Sequence, residues 1–292
     1  MRPGIAVVVV THDTREHTVA LLQCLAADPA SAGWEHIVID NDSSDGTERT
    51  VRELYPFVRL VRNAPQRGYA AALNQAIAAS TAPCIVAVNP DTRVPAGTLE
   101  RLRSVLESDE KVGAVAPLVR LSDGRRQRQG LFAPRPYTAL VVLTGLQRLP
   151  GFRREAERYY GDLLDGPLAD VEILPGTCLM LRRAALAAVG PFDERFFVYC
   201  EDVDWCLRAR AAGWRLVLAR DVEIVHDKSA SSRAHSTRVI RIYYRSVRAF
   251  YAKHHAPRTP VPIRGLWYAG AYAKEGVALL ANALRSRKGL RY

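Results

Sequence analysis

Short runs of aliphatic and β-branched residues alternate with helically spaced stretches through the first 117 residues, and this alternation limits the fold more than any other feature. The runs are "IAVVVVT" (5–11), "HIVID" (36–40), "VRLV" (58–61), "CIVAV" (84–88) and "VGAVAP" (112–117). Helical patterns are expected between them, near 16–27, 47–55, 69–79 and 97–107. A strand with one wet face alternates apolar and polar residues, whereas most of these runs are apolar throughout. Such strands need cover on both faces, and the intervening helices supply it. The expected fold class is α/β, a mostly parallel sheet flanked by helices. Ligands in sheets of this kind bind beyond the carboxyl ends of the strands. Thr11, Asp40 and Asp91 stand at or just after three strand ends, so three polar side chains are expected on one edge.

Beyond 117 the pattern weakens. Residues 118–170 have no clean period and read as a long insertion, which in a compact domain is usually functional or mobile. "VEILPGTCLMLRR" (171–183) reads as a strand and turn leading into a helix. In "WCLRARAAGWRLVLA" a helix stops near Gly213 and a strand follows; "VEIVHD" (222–227) is a further strand ending at His226. "RVIRIYYRSVRAFYAKHH" (238–255) is amphipathic, with Val239, Tyr243, Val247 and Phe250 on one stripe and Arg238, Arg241, Arg245 and Arg248 on another. After the Pro-rich "APRTPVP", a second helix is expected over 264–286, carrying Trp267, Tyr268, Tyr272 and several leucines. The chain thus divides into a domain at 1–236, with halves at about 1–117 and 118–236, and a helical extension at 237–292.

Charge separates the same two parts. Residues 237–292 hold twelve Lys/Arg against one acid, Glu275, which equals the +11 of the whole chain; residues 1–236 are balanced at 29 of each sign. The tail therefore suits an anionic surface: lipid, nucleic acid or a phosphorylated substrate. At 292 residues and 48% hydrophobic, the chain can bury a sizeable core. No run approaches the ~20 apolar residues of a membrane span, and the N-terminal apolar run is a strand rather than a signal segment. Five scattered cysteines without CxxC spacing argue against a disulfide framework and against zinc, and fit a reducing cytoplasm.

The segment "YCEDVDWCLR" (199–208) crowds Glu201, Asp202 and Asp204 beside Phe196, Phe197, Val198 and Trp205. An ionised carboxylate taken from water without a partner costs several kcal/mol. Acids at a helix start favour the positive end of the dipole by about 0.3–1 kcal/mol each, which accounts for one or two of them but not for the apolar approach.

Seven motifs occur in one order: "VVVVTHD", "VIDNDSSDGT", "RGYAAALN", "NPDT", "GTCLMLRR", "FDERFFVYCEDVDWCLRARAAGWRL" and "VEIVHDKSAS". Together they resemble family 2 glycosyltransferases of the GT-A fold, especially the bacterial rhamnosyltransferase-like branch. The resemblance covers about 1–255, is weak over 118–170 and does not reach the tail after 256. It implies that Asp40 accepts a hydrogen bond from a pyrimidine N3–H and that Thr11 lies beside the base. Asp42 reads equally as donor contact or turn residue. Arg67 is placed to meet a phosphate and Gly68 to let the backbone approach a ligand. Gln66 stands where the family usually has Asn, and Asn74 reads either as a donor-site residue or as a partner for buried backbone. Where many relatives carry Asp-x-Asp, "NPD" begins with Asn89. That leaves Asp91 as the strong ligand for Mg²⁺ or Mn²⁺ against the donor diphosphate, unless the segment is only a type I turn. His226 matches a position that can add a metal ligand, and a structural histidine is the other reading.

The same resemblance makes Asp202 the catalytic base of an inverting transfer, with Glu201 and Asp204 orienting it or the acceptor. Trp205 would stack on a sugar or fill the core. The implied reaction moves a sugar from a nucleotide-diphosphate donor, dTDP-rhamnose first and a UDP-sugar second, to a hydroxyl of a glycan or lipid-linked glycan. A cytoplasmic enzyme held peripherally on anionic lipid by its tail, with no nucleic-acid partner, fits this reading. No GxGxxG follows the first strand, which disfavours a dinucleotide oxidoreductase. A silent nucleotide-sugar binder would have no need of the acidic cluster, and a nucleic-acid binder acting through the tail would leave the balanced body without a role.

Overall fold

The computed structural model describes residues 4–133, 138, 146–227 and 237–289. The apolar runs of the first half become β1 (Ile5–Thr11), β2 (Trp34–Asp40), β3 (Arg59–Arg62) and β4 (Cys84–Val88). Between and after them lie α1 (Arg15–Ala26), α2 (Thr47–Leu54), α3 (Tyr69–Ala79) and α4 (Thr98–Glu107). These strands are parallel in the order β3-β2-β1-β4, with Thr11 level with Asp40. Successive side chains of β1 point to opposite faces. Val7 and Val9 join a core with Leu21, Leu22 and Leu102; Val8 and Val10 join another with Ala70, Leu73 and Ala76. Each fully buried aliphatic side chain contributes about 1.5–3 kcal/mol, so a polar residue inside β1 would cost on either face.

The second half supplies β5 (Thr92–Arg93), β6 (Val112–Leu121), β7 (Leu168–Val171), β8 (Cys178–Arg182) and β9 (Arg215–His226). Among the described residues the sheet runs β3-β2-β1-β4-β8-β6-β9-β5, with β7 also on β9. Strand β8 is antiparallel to both β4 and β6, and β5 and β7 are antiparallel to β9. The sheet is therefore mixed, with its longer ladders parallel and antiparallel pairing confined to β5, β7 and β8. "CLMLR" is buried on both faces and so reads like a parallel strand, because an apolar run records burial and not direction. Strand β9 is continuous where the sequence suggests two strands. Its register against β6 jumps between Ala219 and Glu223 while β6 advances from Pro117 to Leu118, so Arg220–Val222 bulge out. Helices α5 (Pro150–Tyr159), α6 (Arg183–Val189) and α7 (Glu201–Ala211) complete this half. The expected insertion thus contains the end of β6, a return segment in which the Gln127 N–H donates to Val119 O at 2.8 Å, and α5.

The tail forms α8 (Thr237–His254) and α9 (Val261–Gly289). Helix α8 is fastened to the domain: the Ser246 hydroxyl donates to Val198 O at 2.8 Å, and the Lys253 ammonium lies 2.7 Å from Asp193. Its buried residues are Ser246 and Tyr251, whereas Tyr243 of the expected inner stripe is half exposed, edge-on to Tyr199. Tyr251 stacks on Trp267 of α9 (3.6 Å, 6°) and meets Tyr268 edge-on. These two aromatics therefore join the helices. Ile263, Leu266, Val277, Leu280 and Leu284 of α9 are exposed, and so is Tyr272. Among the described residues no helix is long and apolar enough to cross a membrane, and all five cysteines are free. Residues 228–231, the end of the last motif, are outside the described residues except as sequence, as are 290–292 of the basic terminus.

Candidate active site

A cleft of about 570 Å³ opens at the carboxyl ends of β1 and β4, between Asn89, Asp91 and His226 on one side and Gly176, Glu201 and Asp202 on the other. A two-residue strand and the end of a long one build the first side. Pairing of β5 with the end of β9 sets Thr92 level with His226, and the Asp227 N–H donates to Asp91 O at 2.8 Å. That pairing brings His226 Nε2 to 3.2 Å from Asp91 Oδ1, while His226 Nδ1 lies 2.7 Å from Gln127 Oε1. Gln127 thus fixes the ring, as a metal-bound histidine requires. Among the described residues no group of three or more His, Cys, Asp or Glu side chains could hold a metal. One carboxylate and one imidazole side by side fit a divalent ion that draws its other oxygens from a diphosphate and water.

The other side is the first turn of α7. Tyr199 (φ 72°) and Cys200 (φ 71°) both take the left-handed conformation just before it, at about 1–2 kcal/mol each for non-glycine residues. The turn aims Asp202 at the cleft, where Oδ2 accepts the Gly176 N–H at 3.1 Å and Oδ1 accepts the Val203 N–H at 2.8 Å. A Cβ on Gly176 would stand 2.8 Å from Asp202 Oδ2, so only glycine permits this approach. No cation among the described residues pairs with Asp202 or Glu201, and Glu201 Oε2 is buried without a partner. Burial pushes both carboxyls above the usual carboxylate range, and the Asp202 charge adds to the rise at Glu201.

Two residues expected at the acceptor lie elsewhere. Asp204 is fully buried on the opposite side of α7, with Lys253 Nζ at 2.5 Å, His254 Nε2 at 2.7 Å and Arg208 Nε at 2.8 Å. Burial alone would raise it; the Lys253, His254 and Arg208 hydrogen bonds outweigh burial and hold it low. Trp205 is also fully buried, stacked on Phe192 and donating to Gly190 O at 3.2 Å, so it cannot stack on a sugar. Within this first turn Asp202 accepts the Val203 N–H, and Asp204 pairs with Arg208 of its own helix and with Lys253 and His254 of α8.

At the β2 edge, Asp40 is buried; Oδ1 accepts the Ser43 N–H at 2.9 Å and Oδ2 has no partner. Thr11 is level with it, its hydroxyl 2.8 Å from those of Thr14 and Thr18. Asp42 (φ 69°) is a turn residue 3.9 Å from Arg62. Arg67 projects into solvent from a backbone clamped by Asn41, which donates to Arg67 O at 2.5 Å and accepts the Arg67 N–H at 2.9 Å. Gly68 is required for a different reason than expected, since a Cβ there would meet Phe197 O at 2.9 Å. Asn74 is a clip: its amide donates to Phe192 O and accepts the Phe192 N–H, both at 2.9 Å, tying α3 to the loop before α7. Sequence reasoning missed Asn41, Gln127, Gly176 and Tyr69, which also lines the cleft. Alternation within "RRQRQG" was the one signal for Gln127.

A mixed sheet with this cleft at its strand ends is the GT-A arrangement of glycosyltransferases. Residues 6–190 match the family described as glycosyl transferase family 2, and 138–263 match glycosyl transferase family group 2. The chain belongs to glycosyltransferase family 2 and is a glycosyltransferase. It is 28% identical to an N-acetylglucosaminyl-diphospho-decaprenol L-rhamnosyltransferase of Mycobacterium tuberculosis, over 99% of this chain and 97% of that protein. The rhamnosyltransferase WbbL of Escherichia coli is 29% identical over 28% of this chain and 31% of its own length. Among solved structures, a mannosyltransferase of Pyrobaculum calidifontis in complex with GDP-Man and Mn²⁺ superposes with a TM-score of 0.59 at 23% identity, covering 97% of this chain and 74% of that one.

Proposed function

We propose that the chain is an inverting rhamnosyltransferase that takes rhamnose from dTDP-rhamnose, or a related sugar from a UDP donor, to a hydroxyl of a lipid-linked glycan. The observation that carries this is Asp202: a carboxylate without a cation, facing a cleft shared with Asp91 and His226. Asp202 takes the acceptor proton as the hydroxyl oxygen bonds to the anomeric carbon; the bond from that carbon to the diphosphate breaks, and the nucleoside diphosphate leaves with the electron pair. Backbone N–H bonds from Gly176 and Val203 hold the carboxylate and favour its ionised form against the burial that opposes it. Asp91 and His226 would hold Mg²⁺ or Mn²⁺, which neutralises charge building on the leaving diphosphate. Asp40 Oδ2 is free to accept from a pyrimidine N3–H. Thr11 is level with Asp40 at the same edge, and Asp42 and Arg67 flank it. The acceptor class follows the mycobacterial relative, an N-acetylglucosaminyl-diphospho-decaprenol L-rhamnosyltransferase.

The tail supports attachment to anionic lipid. Exposed Ile263, Leu266, Val277, Leu280 and Leu284 recur at helical spacing on α9, in a segment rich in Lys and Arg. The experiment is transfer with dTDP-rhamnose and UDP-sugars onto a prenyl-diphospho-sugar, with the product anomer assigned by NMR. Inversion is the expected result; retention of configuration would overturn the role given to Asp202.

A further inference from the structure

Next to the cleft, across the loop that precedes α7, lies a second cavity of about 580 Å³, lined by Phe197, Thr237, Arg238, Arg241, Ile242 and Arg245. The arginines recur at three- and four-residue spacing, so one face of α8 presents all three to the same groove. Among the described residues none of them forms an ion pair; Arg238 donates to the neutral Gln66 Oε1 at 2.9 Å. The rest of α8 is different, since Arg248 pairs with Glu275 and Lys253 with Asp193 and Asp204. Like charges at this spacing repel and destabilise a helix unless an anion stands between them. Phe197 and Ile242 make the remaining wall apolar.

The groove is bound tightly to the catalytic machinery. Phe197 O accepts the Tyr69 N–H at 2.5 Å, Val198 O accepts from Ser246, and Tyr199 lines the cleft. Only four residues of chain separate Phe197 from Asp202, at most ~17 Å of contour. An acceptor with its hydroxyl at Asp202 therefore has its far end within reach of the arginines.

We propose that Arg238, Arg241 and Arg245 bind the diphosphate of the lipid-linked acceptor, with its first lipid carbons against Phe197 and Ile242. This rests on the acceptor class proposed above and names the part of the acceptor that is recognised. Guanidinium groups bind phosphate oxygens by paired, charge-assisted hydrogen bonds, so each arginine lost should weaken binding about tenfold.

Two readouts test it, one independent of turnover. Wild type and Arg241→Gln/Arg245→Gln are titrated with farnesyl diphosphate and with farnesol in detergent. Diphosphate binding should weaken about a hundredfold in the variant, with farnesol unchanged. If no donor supports transfer yet this difference holds, the function above fails and the groove assignment stands. With turnover, KM for a prenyl-diphospho-sugar should rise while KM for the donor and for an alkyl glycoside of the same sugar stays. An equal rise in donor KM would place the donor diphosphate in the groove and overturn the proposal. So would loss of binding to anionic vesicles with acceptor KM unchanged, which would make it a lipid-headgroup site. Melting temperature should not fall, because repulsion is relieved; Arg245→Gln alone, at about tenfold, serves if the double variant misfolds.

Discussion

The first turn of α7 carries carboxylates towards two regions that treat them in opposite ways. Towards the cleft, Glu201 and Asp202 are buried with no cation beside them among the described residues, Asp202 accepts two backbone N–H groups, and both pKa values rise. Towards α8, Asp204 meets Lys253, His254 and Arg208 and its pKa falls. Neighbouring Asp193 is held lower still by Arg195 and Lys253. Identical side chains two positions apart thus become a buried carboxylate without a cation among the described residues, the proposed base, and an ionic fastening. What separates them is the partner each finds, and two of the three cations at Asp204, Lys253 and His254, come from a helix about 50 residues further on.

The bluntest way to break this contrast is to remove the cations. A chain ending at residue 236 lacks α8 and leaves buried Asp204 with Arg208 alone; it should lose cooperative unfolding in a denaturant titration. A chain ending at residue 260, which keeps Lys253 and His254, should retain it. Second in size is Asp202→Asn, expected to lower turnover by about 10²–10⁴, with stability unchanged or slightly higher. If Asp204→Asn cost as much turnover at full stability, the division between the two sides would collapse. For Asp204→Asn the expected loss is about 3–5 kcal/mol of unfolding free energy, because three cations lose their buried partner.

The pH dependences sharpen the same contrast. Asp204 has a depressed pKa, so its contribution is complete above the unfolded value of about 3.9 and disappears as pH falls through the folded value. Asp204→Asn should flatten the acid side of the stability curve. Asp202 has a raised pKa, so its ionisation opposes folding as pH climbs from the unfolded to the folded value, and the base is protonated below the latter. Turnover should therefore fall on the acid side at a pH above the ordinary carboxylate range, measured by initial rates across pH. The smallest effect belongs to Ser246→Ala, about 1 kcal/mol from the lost bond to Val198 O, with turnover close to wild type.

Much of the donor edge was legible from local pattern. Runs such as "IAVVVVT" state their burial, and Thr11, Asp40 and Asp91 follow from where the runs stop. The direction of β8 was not, because its residues are buried whichever way it runs. Nor were the fates of Asp204 and Trp205, since no periodicity within α7 records what α8 or Phe192 will place beside them. The resemblance offered Asp91 and His226 as metal ligands, and their side chains lie 3.2 Å apart, while Gln127, which orients the ring, lay where no period guided the reading. The packing of Trp267 and Tyr268 against Tyr251 shows that an amphipathic helix declares two faces without saying which is covered.

Gly176 has a consequence for inheritance. Its bare backbone lies so close to Asp202 that every substitution adds a carbon 2.8 Å from a carboxylate oxygen of the proposed base. Backbone or carboxylate must then shift, and the Gly176 N–H bond to Asp202 shifts with it. In a saturation library selected for transfer, this position should tolerate no replacement, although it bears no charge, no nucleophile and no side chain. Descendants of this chain that keep Asp202 as their base are expected to keep Gly176 too, and those that lose the glycine are expected to have given up the reaction.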